Sequence, residues 1–429
     1  MRKAIGMIFA GGRVEELSVL TGRRPKSAVV FGGVYRMIDF ALTNMADADI
    51  GQVGILTQYR PASLMDHVGS GSSWDLVGST RGVRFLPPSL GHEGAEWYRG
   101  PADALFQNLE FIERSNATDV IAVSGDHPYS MDYRRLLDFH IEKDADLTVA
   151  FSPREKDAHR FGIGELNAAG QILGFTEKPE LPRSNLASMS VYVFKRSVLI
   201  EELKRAIGGE EGQQTFQIHE VLHRMMTRRR AYGYVHRGVW EYTRTIDEYF
   251  EAHRALVGRE PRISFDEWEV RTNLLARRTT PPSPSRLLPG AQIESSLLSG
   301  NCVVEGTVKG SVLSPGVRIG KGAVVTDCVL HHDVVVEEGA RLTGVISDKS
   351  AVFGRNCQVG LGDIVPNEEL PKSLTCGATL VGWEARIPAE ARIGKNCIIH
   401  AEIVESDLGA EVPSGASRWP ASARKAVAP

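Results

Sequence analysis

"VLSPGVRIGKGAVVTDCVL", Val312 to Leu330, sets aliphatic residues singly or in pairs at intervals of five or six and fills the gaps with Gly, Asp and other turn-compatible residues. That is neither the 3.6-residue period of a helix nor the sustained alternation of a long strand. Short strands separated by tight turns fit it, coiled so that the aliphatic side chains stack inward as a parallel β-helix. The spacing begins at Ile293, is interrupted after Gly360 by "LGDIVPNEELPKSLTCG", and resumes at "ARIGKNCIIHAEIV", Ala391 to Val404. The interruption reads as a late extra coil or a lid, and the Ala-, Ser-, Arg- and Pro-rich end as a mobile tail.

Upstream, "TTPPSPSRLLPG", Thr279 to Gly290, has the proline and serine content of a linker. Before it, the apolar runs Ile5 to Phe9, Val53 to Thr57, Val120 to Ser124 and Leu147 to Phe151 are each followed by turn residues and an amphipathic stretch. That alternation predicts a mostly parallel sheet flanked by helices, an α/β fold of Rossmann type. One helix is expected over Asp103 to Arg114, with Asp103 at its positive end and its N-terminus free to face a ligand. A chain of 429 residues exceeds the roughly 250 to 300 that one core supports. The expected division is therefore 1–255 (nucleotide-handling α/β domain), 256–290 (connecting segment and linker), 291–415 (β-helix) and 416–429 (tail).

With 42% hydrophobic residues, 24% charged and a formal net charge of -3, the chain lacks the charge for nucleic acid or a membrane surface and the polarity for disorder. Small-molecule chemistry is expected. The cysteines, Cys302, Cys328, Cys357, Cys376 and Cys397, show no CxxC spacing and read as packing residues in a reducing compartment. The apolar run Ile5 to Ala10 is too short for a signal sequence, and no run approaches the roughly 18 apolar residues of a membrane span. A cytoplasmic location is expected. Arg228-Arg229-Arg230 reads as a solvated helix end and His331-His332 as a β-helix corner.

In the first domain, polar and glycine-rich stretches fall at strand ends, where open α/β sheets bind ligands. "MIFAGG", Met7 to Gly12, breaks a strand on two glycines, and "SGDHPYSMD", Ser124 to Asp132, ends one on a carboxylate placed to hold Mg²⁺ against a phosphate. "EWYRGPADALFQN" from Glu96, "FTEKPELP" from Phe175 and "LASMSVYVF" from Leu186 complete the set.

Together these stretches, with Leu20-Thr21, Arg24, Lys26, "FGG.YR.IDFAL.N" from Phe31 and "LTQY" from Leu56, resemble sugar-1-phosphate nucleotidylyltransferases, in particular the glucose-1-phosphate adenylyltransferase (ADP-glucose pyrophosphorylase) family. The resemblance spans nearly the whole chain. It implies a left-handed β-helix and the reaction of ATP, or another nucleoside triphosphate, with glucose 1-phosphate to give ADP-glucose and pyrophosphate with Mg²⁺. It also implies a homotetramer and a small-molecule allosteric effector. By matching position, Asp126 would bind the metal and Lys26 and Arg24 would lie near phosphate. Ala10, Gly11, Gly12, Gln58, Tyr98, Gly100 and Asp103 would line the nucleotide. Glu177, Lys178, Ser188 and Gly162 would meet the sugar phosphate.

Two departures stand out. The family's Gly-Gly-x-Gly-Thr/Ser-Arg-Leu loop reads Val14, Glu15 and Glu16 at its Gly, Thr/Ser and Arg positions, so a carboxylate replaces a cation beside phosphate. In the segment resembling Trp-Arg-Asp-Val-Gly-Thr, Trp240 is followed by Glu241, Tyr242, Thr243 and Arg244, and Tyr242 cannot replace the metal-holding Asp unless Glu241 turns in. Two function classes follow: an adenylyltransferase whose loop is compensated, or a weakly active regulatory paralogue that assembles with an active subunit. Loss of an acid near Tyr242 and gain of a cation at Arg244 predict a coupled exchange, in which Arg244 pairs with Glu16 or Glu16 takes over a metal contact.

Overall fold

The structure is a computed structural model that describes residues 3–88, 97–207, 214–275 and 283–424. Glu96 of the "EWYRG" stretch, residues 279–282 of the expected linker and 425–429 of the expected tail lie outside the described residues. The chain forms two compact units, each discontinuous in sequence. The first is 1–12, 37–240 and 269–271; the second is 13–36, 241–268 and 272–429. The expected cut at residue 255 therefore differs from the observed grouping, because 13–36 and 241–268 cluster with the coil.

Among the described residues, the first unit holds a nine-stranded sheet. Its main path runs Ala231–Val235, Leu147–Pro153, Leu186–Lys195, Asp119–Ser124, Ala4–Phe9, Gln52–Leu56, Gly82–Leu86. Ala4–Phe9 lies parallel to both neighbours, while Leu186–Lys195 runs antiparallel to both of its own. The near-continuous apolar runs become strands because helices cover the sheet: Met7, Ile8, Val120, Ile121 and Val149 are fully buried.

The expected helix over Asp103 to Arg114 is two, Pro101–Gln107 and Leu109–Glu113, broken at Asn108 (φ -112°, ψ 23°). Its N-terminus is not free, since the Phe216 carbonyl accepts from Ala102 N at 3.0 Å. A Cβ on Gly100 would stand 2.3 Å from that carbonyl oxygen, so glycine is required there by close approach. The Arg228–Arg230 run is the end of the helix Ile218–Arg228, with Arg228 and Arg230 exposed as expected, and its cations are paired: Arg229 with Glu202 at 2.7 Å and Arg230 with Asp146 at 3.2 Å.

The second unit is the β-helix with the two segments that join it. Its parallel strands form three sheets of six, seven and seven strands among the described residues. Val304, Ile319, Val336, Phe353 and Ile387 stack in one column and Val308, Val325, Leu342, Val359 and Ile393 in another, all buried. The intervening Asn301, Asp327, Asp333 and Asn356 take left-handed turns with φ between 51° and 64°, which short polar side chains tolerate. Cys302, Cys328, Cys357 and Cys397 lie inside this core, as packing residues should. The coil starts earlier than residue 291, because Arg286–Leu287 pairs with Val303–Val304. It ends later than 415, because Ser417–Arg418 pairs with Ile398–Ile399. The interrupting segment is pinned by buried Asn367, whose Nδ2 donates to Asn396 O at 2.8 Å and Gly415 O at 3.0 Å.

His331-His332 stands at a corner of the coil as expected, between Val329–Leu330 and Val335–Val336, and His331 is fully buried there, with Nδ1 3.2 Å from Asp348 Oδ1 and Nε2 2.9 Å from the Tyr249 hydroxyl. His253 is also buried, accepting from Gly32 N at 3.2 Å while Nδ1 donates to Tyr249 O at 2.9 Å. Those partners suit the neutral ring, and burial pushes its pKa down to about 3. The unfolded chain binds this proton near pH 6.5 and the folded one does not, so stability is full above that value and falls as pH drops. From pH 7 to 4.5, unfolding free energy is expected to fall by about 2 to 3 kcal/mol through His253. Urea titrations of wild type and His253→Asn check this; equal pH slopes for the two would refute it.

Candidate functional site

Two strand ends in the first unit place the first group of residues. Phe9 pairs with Ser124 in register, and Gly125 N donates to Phe9 O at 2.9 Å, so Ala10-Gly11-Gly12 and Gly125-Asp126 leave adjacent parallel strands side by side. The chain moves from Ala4–Phe9 to Gln52–Leu56 on one flank and later to Asp119–Ser124 on the other, which makes this a topological switch point, the ligand crevice of an open α/β sheet. A Cβ on Gly11 would stand 3.0 Å from Gln58 N, whereas one on Gly12 would meet nothing within 4 Å. Gly11 thus fits the chain tightly, and Gly12 presents bare backbone to open space.

Asp126 is oriented by a short relay. Ser124 Oγ donates to Asp126 Oδ1, and His127 Nε2 lies 3.2 Å from the same oxygen. Trp240 Nε1–H donates to His127 Nδ1 at 3.4 Å, which leaves the ring proton on Nε2, facing the carboxylate. The Asp126 side chain keeps 25% of its surface exposed, while His127 and Trp240 are buried. Trp240 continues to Phe161 (ring centroids 5.3 Å apart), whose carbonyl accepts from Lys178 N at 3.0 Å. Asp126 and Lys178 therefore belong to one connected set.

Lys178 is exposed, holds a left-handed φ of 47° that lysine rarely adopts, and has Nζ 3.8 Å from Glu177 Oε1. Gly162 pairs with Glu177 across the strands, and a Cβ there would lie 2.3 Å from the Phe175 ring and 2.9 Å from Glu177 Oε2. Ser188, buried, stands one residue beyond the Ala187↔Ile163 pair, where the strand bulges. On the nucleotide side, Gln58 Oε1 accepts from Tyr98 N, and the Tyr98 hydroxyl donates to Leu86 O at 2.9 Å. Burial pushes that phenol up to about 12, so it stays protonated and can act as a fixed edge. Asp103 is buried and accepts from Arg99 N at 2.8 Å and Gln107 Nε2 at 3.0 Å, which braces the turn after Gly100.

The second group belongs to the second unit. Thr21 Oγ1 donates to Val14 O at 2.7 Å, closing the loop after the glycines, and Leu17 and Leu20 anchor it in the core. Arg244 Nε donates to Glu16 Oε1 at 3.0 Å, so the expected pairing of these residues is present. Lys26 is buried with Nζ 5.5 Å from the Tyr242 ring centroid. Glu241 pairs with Arg262 at 3.5 Å rather than standing in for an absent Asp. Arg24, expected near phosphate, is buried, and both ends of its fork engage Asp348, at 2.8 and 2.9 Å.

A divalent cation fits the first group in one way. Among the described residues no three His, Cys, Asp or Glu side chains converge as a metal cage. Asp126 offers a single hard oxygen donor set, partly exposed at a strand end. That matches Mg²⁺, which binds through one or two carboxylates plus substrate phosphates.

A glycine turn and an oriented carboxylate on adjacent parallel strands, followed in the chain by a parallel β-helix, define a nucleotidyltransferase with a hexapeptide-repeat domain. Family models agree: residues 5–258 match "Nucleotidyl transferase" and residues 288–373 match "GlmU-like, C-terminal hexapeptide". Curated relatives named glucose-1-phosphate adenylyltransferase come from Thermomicrobium roseum (42% identical, covering 95% of this chain and 96% of the relative), Acetivibrio thermocellus (37%, 95% and 95%) and Thermotoga neapolitana (39%, 95% and 96%). The chain belongs to the glucose-1-phosphate adenylyltransferase family. No helix among the described residues is long and apolar enough to cross a membrane.

Sequence reasoning missed the Trp240–His127–Asp126 relay and the Arg24–Asp348 pair. His127 stood inside the quoted "SGDH", so its neighbourhood to Asp126 was a usable signal. Arg24 and Asp348 are 324 residues apart, and nothing in either stretch announces the pairing.

Proposed function

We propose that this chain transfers the adenylyl group of ATP to glucose 1-phosphate, giving ADP-glucose and pyrophosphate. The observation that carries the reading is the Phe9↔Ser124 register, which sets the glycine turn beside Asp126. A phosphate oxygen of the sugar attacks the α-phosphorus and pyrophosphate leaves, so the protein's task is to align and neutralise anions, without a nucleophile of its own. Gly11 and Gly12 give the triphosphate backbone contact, and Gln58 and Tyr98 form the base-side wall. Lys178 and Glu177 hold the sugar phosphate, and Ser188 meets the sugar. Asp126 would hold Mg²⁺, which when bound would supply charge neutralisation at the phosphate oxygens.

Pyrophosphate release measured with ATP, GTP, CTP or UTP and glucose 1-phosphate tests this, with ATP expected to dominate. Lys178→Ala is expected to weaken glucose 1-phosphate by about 2 kcal/mol, the loss of one charge-assisted contact. Unchanged sugar-phosphate affinity in calorimetry would remove Lys178 from the site. ATP binding without pyrophosphate release would favour the regulatory paralogue.

A further inference from the structure

Arg154 stands at the same edge of the sheet as Asp126. It follows Leu147–Pro153, which shares the direction of Asp119–Ser124 because both run antiparallel to Leu186–Lys195. Its backbone is pinned there, with Arg154 N donating to Asn185 O at 2.7 Å. The half-buried side chain lies over two buried rings at once, its Cζ 4.9 Å from the Trp240 centroid and 5.3 Å from that of Phe161. Each ring ends one arm of the site, and all of these residues belong to the first compact unit. Trp240 reaches Asp126 through His127, and its backbone also bridges to Tyr129 in the same loop. Phe161 accepts from the Lys178 amide at 3.0 Å, where the lysine backbone makes its left-handed turn. A guanidinium is planar and weakly hydrated, so it stacks on aromatic faces at small desolvation cost and is attracted to both rings. Net charge does not explain the residue: Asp126 and Glu177 offset Lys178 and Arg154, and in the turn that follows Glu155 and Asp157 offset Lys156 and Arg160. What Arg154 contributes is placement.

We propose that Arg154 is a positioning residue for both arms: by clasping Trp240 and Phe161 it fixes the Asp126 carboxylate and the Lys178 side chain relative to each other. This rests on the adenylyltransferase reading and adds the side chain that joins its metal side to its sugar-phosphate side. In-line attack on the α-phosphorus needs both phosphate groups held in one geometry, and a misplacement of about 1 Å between their holders costs on the order of 10²-fold in rate.

Arg154→Met, which keeps an unbranched side chain and removes the charge, tests this through steady-state kinetics, calorimetry and hydrogen exchange. kcat/KM for glucose 1-phosphate is expected to fall about ten- to hundredfold, the range for losing a residue that orients a ligand-bearing side chain. The half-saturating Mg²⁺ concentration should rise together with the KM for glucose 1-phosphate. ATP affinity measured without a divalent cation should stay unchanged, since Gln58 and Tyr98 are tied to each other and to Leu86. A general loss of structure would not produce that split. Arg154→Lys keeps a cation over the rings without the planar stack and should fall between Arg154→Met and wild type. Amide exchange should quicken in the peptides that hold Lys178 and Tyr129 while peptides of the coil keep their wild-type rates, which reads both arms without turnover. An Arg154→Met enzyme with wild-type KM and Mg²⁺ dependence overturns the proposal, and so does a change confined to one arm. A wild-type protein that releases no pyrophosphate sinks the adenylyltransferase reading instead, and the exchange rates at Lys178 and Tyr129 still judge Arg154.

Discussion

Asp126→Asn is expected to cut pyrophosphate release by about three orders of magnitude while the protein remains folded, the scale on which loss of one preorganised electrostatic group acts. The substitution keeps the size of the side chain and an oxygen for Ser124 to donate to. What disappears is the negative charge at the end of Asp119–Ser124, and with it the carboxylate that fits Mg²⁺. Because the relay from Trp240 through His127 points at this one side chain, a change upstream should reproduce part of the effect. His127→Ala leaves the carboxylate in place and still held by Ser124, and a smaller loss in kcat than for Asp126→Asn is the expected order. Steady-state rates over a range of Mg²⁺ concentrations decide it. An Asp126→Asn enzyme that retains most of its turnover would take Asp126 out of the mechanism.

The sequence made the architecture legible where a physical rule acts on neighbouring residues. Aliphatic residues five or six apart can stack inward only if the chain coils, and the coil is there from Arg286 to Arg418. The apolar runs that precede it became strands within a residue or two of their expected bounds. Local rules failed where a distant partner outweighed them. Asp103 looked like a helix-dipole carboxylate facing a ligand, but Phe216 covers that end and Arg99 and Gln107 take the carboxylate. Arg24 looked like a phosphate-side residue only by matching position in the resemblance, and only the fold brings Asp348 to it. The pairing of Arg244 with Glu16 was legible for the opposite reason. Two charge changes of opposite sign in ligand-bearing motifs are costly singly and cheap together.

Asp348→Ala is expected to destabilise the second unit by about 3 to 5 kcal/mol, the usual cost of stranding one member of a buried ion pair. Asp348 is fully buried and accepts both Arg24 contacts, and it also faces His331 Nδ1 at 3.2 Å, so its removal strands a guanidinium and an imidazole together. Burial alone would push the Asp348 carboxyl up, yet the charge of Arg24 and hydrogen bonds from His331 and Arg24 hold it far below the usual carboxylate range. A depressed carboxyl contributes stability that is complete above its unfolded pKa near 4 and is lost as pH falls toward the folded value. The full deficit of Asp348→Ala should thus appear at pH 7 and shrink in acid. Replacing the pair as a whole, Arg24→Met with Asp348→Leu, removes the stranded charge and should recover most of the loss despite deleting the same hydrogen bonds. Urea unfolding of the single and double variants, followed through the transition of this unit, makes the comparison. If the double variant is as unstable as the sum of both single ones, Arg24 and Asp348 do not act as a pair, and the association of residues 13–36 with the coil must be held by the packing around Tyr249 and His253 instead.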